Sequence, residues 1–197
     1  MKTILVTYAV REEYIPLQVD GANVHYVRTG VGKTRSATLL TKNICEQKPD
    51  FVLNIGTAGT VQHNVGDVFV SRCFIDRDYE ATKLPGLEYK IEGDILLPDN
   101  DSLKDWIQRY DKQGVCNTGD TFITELSSFS ADVVDMEAYA QAFVCREFNV
   151  PFLSVKYITD IIGQNSVAHW EEKLSDARSG LTEWFEKHPI LSLIVVE

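Results

Sequence analysis

A chain of 197 residues is long enough for one well-buried domain and too short for two comfortable ones. Hydrophobic residues make up 44% and charged residues 24%, a globular balance that excludes disorder as the main state. The formal net charge of -10, with no Lys/Arg cluster against it, excludes a protein that tracks nucleic-acid phosphates.

Ile4 to Ala9 is a short β-rich run. Acids follow it where a signal peptide would place its small residues, so it reads as a strand of a cytoplasmic protein. Charge appears abruptly at Arg11-Glu12-Glu13. Two acids behind a first strand commonly begin a helix, at the positive end of its dipole, and a strand end is also where a catalytic carboxylate would sit. Gly21-Ala22, between Gln18-Val19 and Val24 to Arg28, predicts a hairpin with antiparallel strands. Thr29-Gly30-Val31-Gly32-Lys33-Thr34 invites comparison with a phosphate-binding loop, but the required glycine five positions before Gly32 is Val27. What remains is a strand-to-helix turn, capped by Thr34, and a helix through Ile44.

Phe51 to Ile55 is apolar without alternation, as in a central strand buried on both faces. It leads into Gly56-Thr57-Ala58-Gly59-Thr60, small residues that let a ligand approach backbone N–H groups. Val65-Gly66-Asp67 and Val68 to Ser71 read as a turn and a strand. From Phe74 to Asp111 the chain is acidic and turn-rich, with one expected helix at Leu103 to Tyr110. Gly114 to Cys116 resumes a strand, and the turn after it carries Phe122, an aromatic placed to stack on a flat heterocycle.

Val133-Val134 lead into Asp135-Met136-Glu137 and then a helical pattern through Ala140, Phe143, Val144 and Phe148. Asn149 and Pro151 close that helix, and Phe152 to Ile158 is a buried strand delivering Thr159-Asp160. Open α/β sheets bind ligands at the carboxyl ends of their strands, so Glu137 and Asp160 reach one rim, suited to acid–base work on a small molecule. A helix follows from about Trp170 to Lys187. The last apolar run, Ile190 to Val196, is far short of the roughly 20 residues that span a bilayer and is expected to pack on the core or on a second subunit. Four scattered cysteines, Cys45, Cys73, Cys116 and Cys145, form no ligand cluster and read as reduced core or near-core thiols. The expected fold is a single α/β domain over residues 1–197, a twisted mixed β-sheet flanked by helices.

Taken together, these loops resemble the nucleoside phosphorylase/nucleosidase family, and most closely its 5′-methylthioadenosine/S-adenosylhomocysteine nucleosidases. The matching residues are Glu12-Glu13, Thr29-Gly30-Val31-Gly32-Lys33, Asn54-Ile55-Gly56-Thr57-Ala58-Gly59, Val65-Gly66-Asp67-Val68, Gly119-Asp120-Thr121-Phe122-Ile123, Asp135-Met136-Glu137-Ala138 and Asn149-Val150-Pro151-Phe152 through Thr159-Asp160, in the family's order. The resemblance implies that Glu13 activates the attacking water and Asp160 protonates the purine at N7. It implies that Glu137 bonds the ribose hydroxyls, with Met136 against the sugar, and that Thr57, Ala58 and Gly59 line the ribose side. Phe122 would stack on adenine and the Ile123 backbone would read its edge. Asp135 stands where relatives have a glutamate, Val10 where they have a methionine and Arg11 where they have an acid. The segment after Asp78, which in relatives helps form the 5′ pocket partly across a dimer interface, is short.

Cleaving an N-ribosidic bond needs a leaving base neutralised by protonation and a nucleophile delivered from the opposite face to an oxocarbenium-like centre. Two carboxylates in unlike environments supply both. The expectation is thus an adenine-nucleoside hydrolase with no metal or organic cofactor, a homodimer acting on a small-molecule nucleoside, with no nucleic-acid or membrane partner. The rivals are a purine nucleoside phosphorylase, a futalosine-type hydrolase and, from another class, a non-catalytic nucleoside-binding module.

Overall fold

In the computed structural model, which describes residues 1–125, 131–164 and 166–195, alternate residues of each central strand face opposite cores. Ile4 and Val6 of β1 (Lys2–Tyr8) enter one core and Leu5 the other. After a 3-10 turn at Arg11–Glu13 come β2 (Ala22–Arg28), α1 (Lys33–Gln47) and β3 (Phe51–Thr60), where Leu53 and Val52 divide likewise between the cores. Next come β4 (Val68–Asp76), α2 (Arg77–Thr82), β5 (Lys90–Glu92), a 3-10 turn at Gly93–Leu96 and α3 (Asp101–Arg109). The chain continues through β6 (Gln113–Thr118), β7 (Val133–Asp135), α4 (Ala138–Glu147), β8 (Phe152–Ile161), α5 (Ser166–Lys187) and α6 (Ile190–Val195). A period of two with both faces covered is what strands sandwiched between helices require. Helices α3, α5 and α6 cover one core and α1 and α4 the other.

The eight strands form one mixed sheet, and its middle closes on itself. β2, β1 and β3 are parallel neighbours. β3 pairs with β8 in parallel, and β8 pairs antiparallel with the first half of β4. Along its other edge β4 pairs in parallel with β6, β6 pairs with β7, and β7 returns antiparallel to the end of β3 at Gly59 and Thr60. A ring of five strands has no open edge, and it gathers the ends of β3, β7 and β8 at one mouth.

Four expectations need correction. The hairpin at Gly21-Ala22 is absent: β2 runs parallel to β1, with Val24 beside Ile4, and no strand forms at Gln18-Val19. Gly21 does turn the chain, at φ 81°, but β1 offers β2 a longer apolar partner, and the Tyr26 hydroxyl ties down Leu17 in place of a ladder. Helix α1 is not capped by Thr34; Gly32, with no side chain to give, holds the cap position at φ 99°, and the Glu137 and Asp120 carboxylates take the Gly32 and Lys33 N–H groups. The small residues Gly56 to Thr60 are strand, not loop, and β8 likewise runs past Ile158 to Ile161; a register shift between Ala58 and Gly59 accommodates both. Cys73, Cys116 and Cys145 are buried free thiols, but Cys45 is exposed.

The carboxyl-terminal apolar run is covered by its own chain. Ile190 and Ile194 of α6 lie in the core; Val196 falls outside the described residues. The helix expected at Leu103 to Tyr110 is α3, and β5 and α2 fill the region whose period could not be read. Among the described residues no helix is long and apolar enough to cross a membrane.

Candidate active site

Strand β3 organises the site because its last residues carry almost no side chain. Glu13, 3% exposed, sits over it: its Oε1 accepts the Thr57 N–H at 2.9 Å and the Thr57 hydroxyl at 2.8 Å. Its Oε2 accepts the Ala9 and Val10 N–H groups at 2.9 and 3.1 Å. A Cβ on Gly56 would lie 3.1 Å from Glu13 Oε1, so the glycine makes room for the carboxylate. Three residues along, a Cβ on Gly59 would lie 2.9 Å from Asp160 Oδ2. Asp160 is buried in β8, and the Thr159 hydroxyl donates to its Oδ1 at 2.9 Å. β3 thus seats two carboxylates, Glu13 at Thr57 and Asp160 at Gly59, on one cleft.

The third carboxylate comes from the start of α4. Glu137 Oε1 accepts the Gly32 N–H at 3.0 Å, which joins the glycine turn before α1 to the site. Burial, and then the repulsion of Asp135 and Glu13, pushes the Glu137 carboxyl up to about 8; Lys156 and the Gly32 N–H act against this. Asp135 beside it goes the other way. Burial works to raise it, but the Lys156 ammonium at 2.9 Å, the Thr118 hydroxyl at 2.5 Å and the Ala138 N–H at 2.9 Å together hold it below the usual carboxylate range. Lys156 itself is fully buried in β8. Burial opposes its charge, but Asp135, Glu137 and Glu13 outweigh that and keep it protonated.

All ten residues expected from the sequence, Glu13, Thr57, Ala58, Gly59, Phe122, Ile123, Asp135, Met136, Glu137 and Asp160, line one cleft of about 650 Å³ out to its mouth. Asp135 does so with its carboxylate turned inward to Lys156, Thr118 and Ala138. Phe122 is partly exposed and meets Trp170 of α5 edge-on at 6.1 Å. A lining that combines buried carboxylates with aromatic and aliphatic side chains suits a ligand with a hydroxylated part and a flat apolar part.

Several residues of the site were not singled out from the sequence. Lys156 lies in the run Phe152 to Ile158, whose apolar neighbours masked it; a lysine inside a strand buried on both faces was the available signal, since such a charge demands a partner. Arg77, buried at the start of α2, gives its guanidinium N–H groups to the carbonyls of Thr121 and Asn117 at 2.8 and 3.3 Å and so holds the Phe122 turn. A Cβ on Gly119 would collide with it. Lys33, from the discarded phosphate-loop motif, bonds Asp76 at 2.9 Å and Asp78 at 2.5 Å. Its N–H reaches Asp120 at 2.7 Å, fastening the glycine turn to the Phe122 turn. Arg11 and Arg28 are exposed, and neither lines the cleft.

The family model described as the phosphorylase superfamily matches residues 7–183. A 5′-methylthioadenosine/S-adenosylhomocysteine nucleosidase of Bacillus velezensis is 30% identical over 190 residues, 87% of this chain and 82% of the relative. The crystal structure of the Helicobacter pylori nucleosidase of that name, with butyl-thio-DADMe-Immucillin-A, aligns at a TM-score of 0.77 and 22% identity, covering 95% of this chain and 99% of that one. The futalosine hydrolase of Helicobacter pylori aligns equally well, at 0.77 and 22%, covering 98% and 97%. The two structures share the fold, including the mixed sheet flanked by helices; the match along residues 7–183 and the Bacillus relative go further, and by them the chain belongs to the phosphorylase superfamily.

Proposed function

We propose that the protein hydrolyses the N-ribosidic bond of adenine nucleosides such as 5′-methylthioadenosine and S-adenosylhomocysteine, releasing adenine. The observation that carries this reading is the pair of buried carboxylates, Glu13 on Thr57 and Asp160 on Gly59, set two residues apart along β3 at one cleft. Glu13 takes a proton from water as it attacks the anomeric carbon. Asp160 gives a proton to the purine at N7 as the glycosidic bond breaks, so that adenine leaves neutral. Glu137 and Met136 hold the ribose, while Phe122 and the Ile123 backbone hold the base. Asp135 and Lys156 act from behind: their ion pair, with no ligand contact needed, keeps a compensating charge beside Glu137 and Glu13.

Water is favoured over phosphate as the nucleophile. A phosphorylase holds a dianion beside the anomeric carbon and needs guanidinium groups aimed at it. Here the arginine on the cleft, Arg77, is committed to the Phe122 turn, and a carboxylate, Glu13, occupies the space beside Thr57. The relatives' names and the absence of such an anion site among the described residues both favour hydrolysis of a methylthio- or homocysteinyl-adenosine, which would place the enzyme in cytoplasmic methionine salvage. The protein is further read as a homodimer, because Leu39 of α1, Phe143 of α4 and Phe148 just beyond it expose large apolar side chains on neighbouring helices.

The experiment is substitution of the two carboxylates. Asp160→Asn keeps shape but has no proton to give, and should abolish adenine release from a folded protein. Glu13→Gln should also remove turnover while leaving adenine binding measurable by calorimetry. Near wild-type turnover by Asp160→Asn would sink the assignment; loss of both activity and binding in Glu13→Gln would make that residue a binding group instead of a base.

A further inference from the structure

Four donors converge on the Glu13 carboxylate, two on each oxygen. Two carboxylate oxygens offer about four lone-pair sites, so a water that hands over its proton needs one donor to yield. Three of the four are backbone N–H groups of Ala9, Val10 and Thr57, fixed by their elements. The fourth, the Thr57 hydroxyl, rotates about a single bond. Its one proton faces Glu13 while its oxygen accepts the indole N–H of Trp170 at 3.1 Å. Trp170 lines the cleft from the first turns of α5, with its ring against Phe122. Helix α5 holds the Glu13 turn a second time, through Arg178, whose guanidinium donates to the Arg11 carbonyl at 3.0 Å.

We propose that Trp170 is a positioning residue: by donating to the Thr57 hydroxyl it directs that proton onto Glu13 Oε1, and so sets the strength of Glu13 as a base toward the attacking water. A ligand wedged against the Phe122 and Trp170 rings that lengthens the indole bond frees the hydroxyl, and with it one Glu13 lone pair, when a nucleoside is in place. The inference rests on Glu13 being the base. Other charged groups stand around Glu13, namely Lys156 from β8, Glu137 before α4 and, on its own turn, the exposed Arg11 and Glu12, with Asp160 on the same cleft and Arg178 of α5 bonded to the Arg11 carbonyl. None is altered by the variants below, so differences between pH profiles report the relay.

The test is the pH profile of kcat/KM for adenine release by wild type, Trp170→Phe, Thr57→Val, Thr57→Ser and the Trp170→Phe/Thr57→Val pair. Trp170→Phe keeps one ring on the Phe122 side but loses the N–H together with part of the indole, weakening one bond to Glu13; the acid limb should move up by about half to one pH unit. Thr57→Val should move it at least as far, Thr57→Ser should leave it in place, and adding Trp170→Phe to Thr57→Val should move it no further, the mark of action through a shared partner. An unmoved limb in Trp170→Phe, a full second shift in the pair, or a Thr57→Ser shift matching that of Thr57→Val overturns the relay. An acid limb that survives in an active Glu13→Gln enzyme instead overturns the base assignment, whatever Trp170 does.

Discussion

Lys156 illustrates how one side chain binds stability to chemistry. Its ammonium is buried among Asp135, Glu137 and Glu13, and an ion pair of this kind contributes little net stability while both partners are present. Removing one partner is another matter. Lys156→Met leaves Asp135 ionised with nothing opposite it, and should destabilise the fold by about 3–5 kcal/mol in urea unfolding; a loss under 1 kcal/mol would mean that Asp135 is not held as an anion. Glu137 supplies a prediction in pH. Its folded carboxyl is raised above the unfolded value of 4.5 to about 8, so its contribution is fully present below pH 4.5 and is lost as pH rises through 8. The Tm of wild type minus that of Glu137→Gln, which does not titrate, should therefore fall between pH 5 and pH 8. A constant difference would contradict the buried, protonated carboxyl.

At the scale of the element, β3 does the positioning, and it works through what its residues lack. Gly59→Ala would set a methyl 2.9 Å from Asp160 Oδ2, on a carboxylate that is itself buried. Displacing a catalytic group by about 1 Å costs about a hundredfold in rate, so this variant should lose turnover on that scale with little change in Tm; retention of activity would show that Asp160 has room to spare. This strand also marks the limit of what the sequence disclosed. Glu13, Asp160 and Glu137 were legible because each follows an apolar run and falls within an ordered set of loop motifs. The continuation of β3 through Gly56 to Thr60 was not, because glycine and alanine are disfavoured in strands and the ladder with β8 decides it. The same holds for β2, whose pairing depends on β1 rather than on the Gly21 turn. Lys156 was hidden for a different reason: a buried charge makes sense only beside its partners, which lie about 20 residues upstream in β7 and at the start of α4.

For the whole molecule, closure of β3, β8, β4, β6 and β7 into a ring brings three strand ends to one mouth, where the proposed reaction takes place. The exposed Leu39, Phe143 and Phe148 predict a particle of twice the 22.2 kDa chain mass by light scattering at micromolar concentration; a particle of 22.2 kDa would contradict the dimer. With Glu13 seated on Thr57 and Arg77 bound to the Phe122 turn, water is the nucleophile proposed. The most direct test follows 5′-methylthioadenosine cleavage with and without inorganic phosphate and identifies the sugar product. Equal rates of adenine release and a free methylthioribose are predicted. A rate that rises in proportion to added phosphate, with the sugar recovered as its 1-phosphate, would make the protein a phosphorylase and contradict the account.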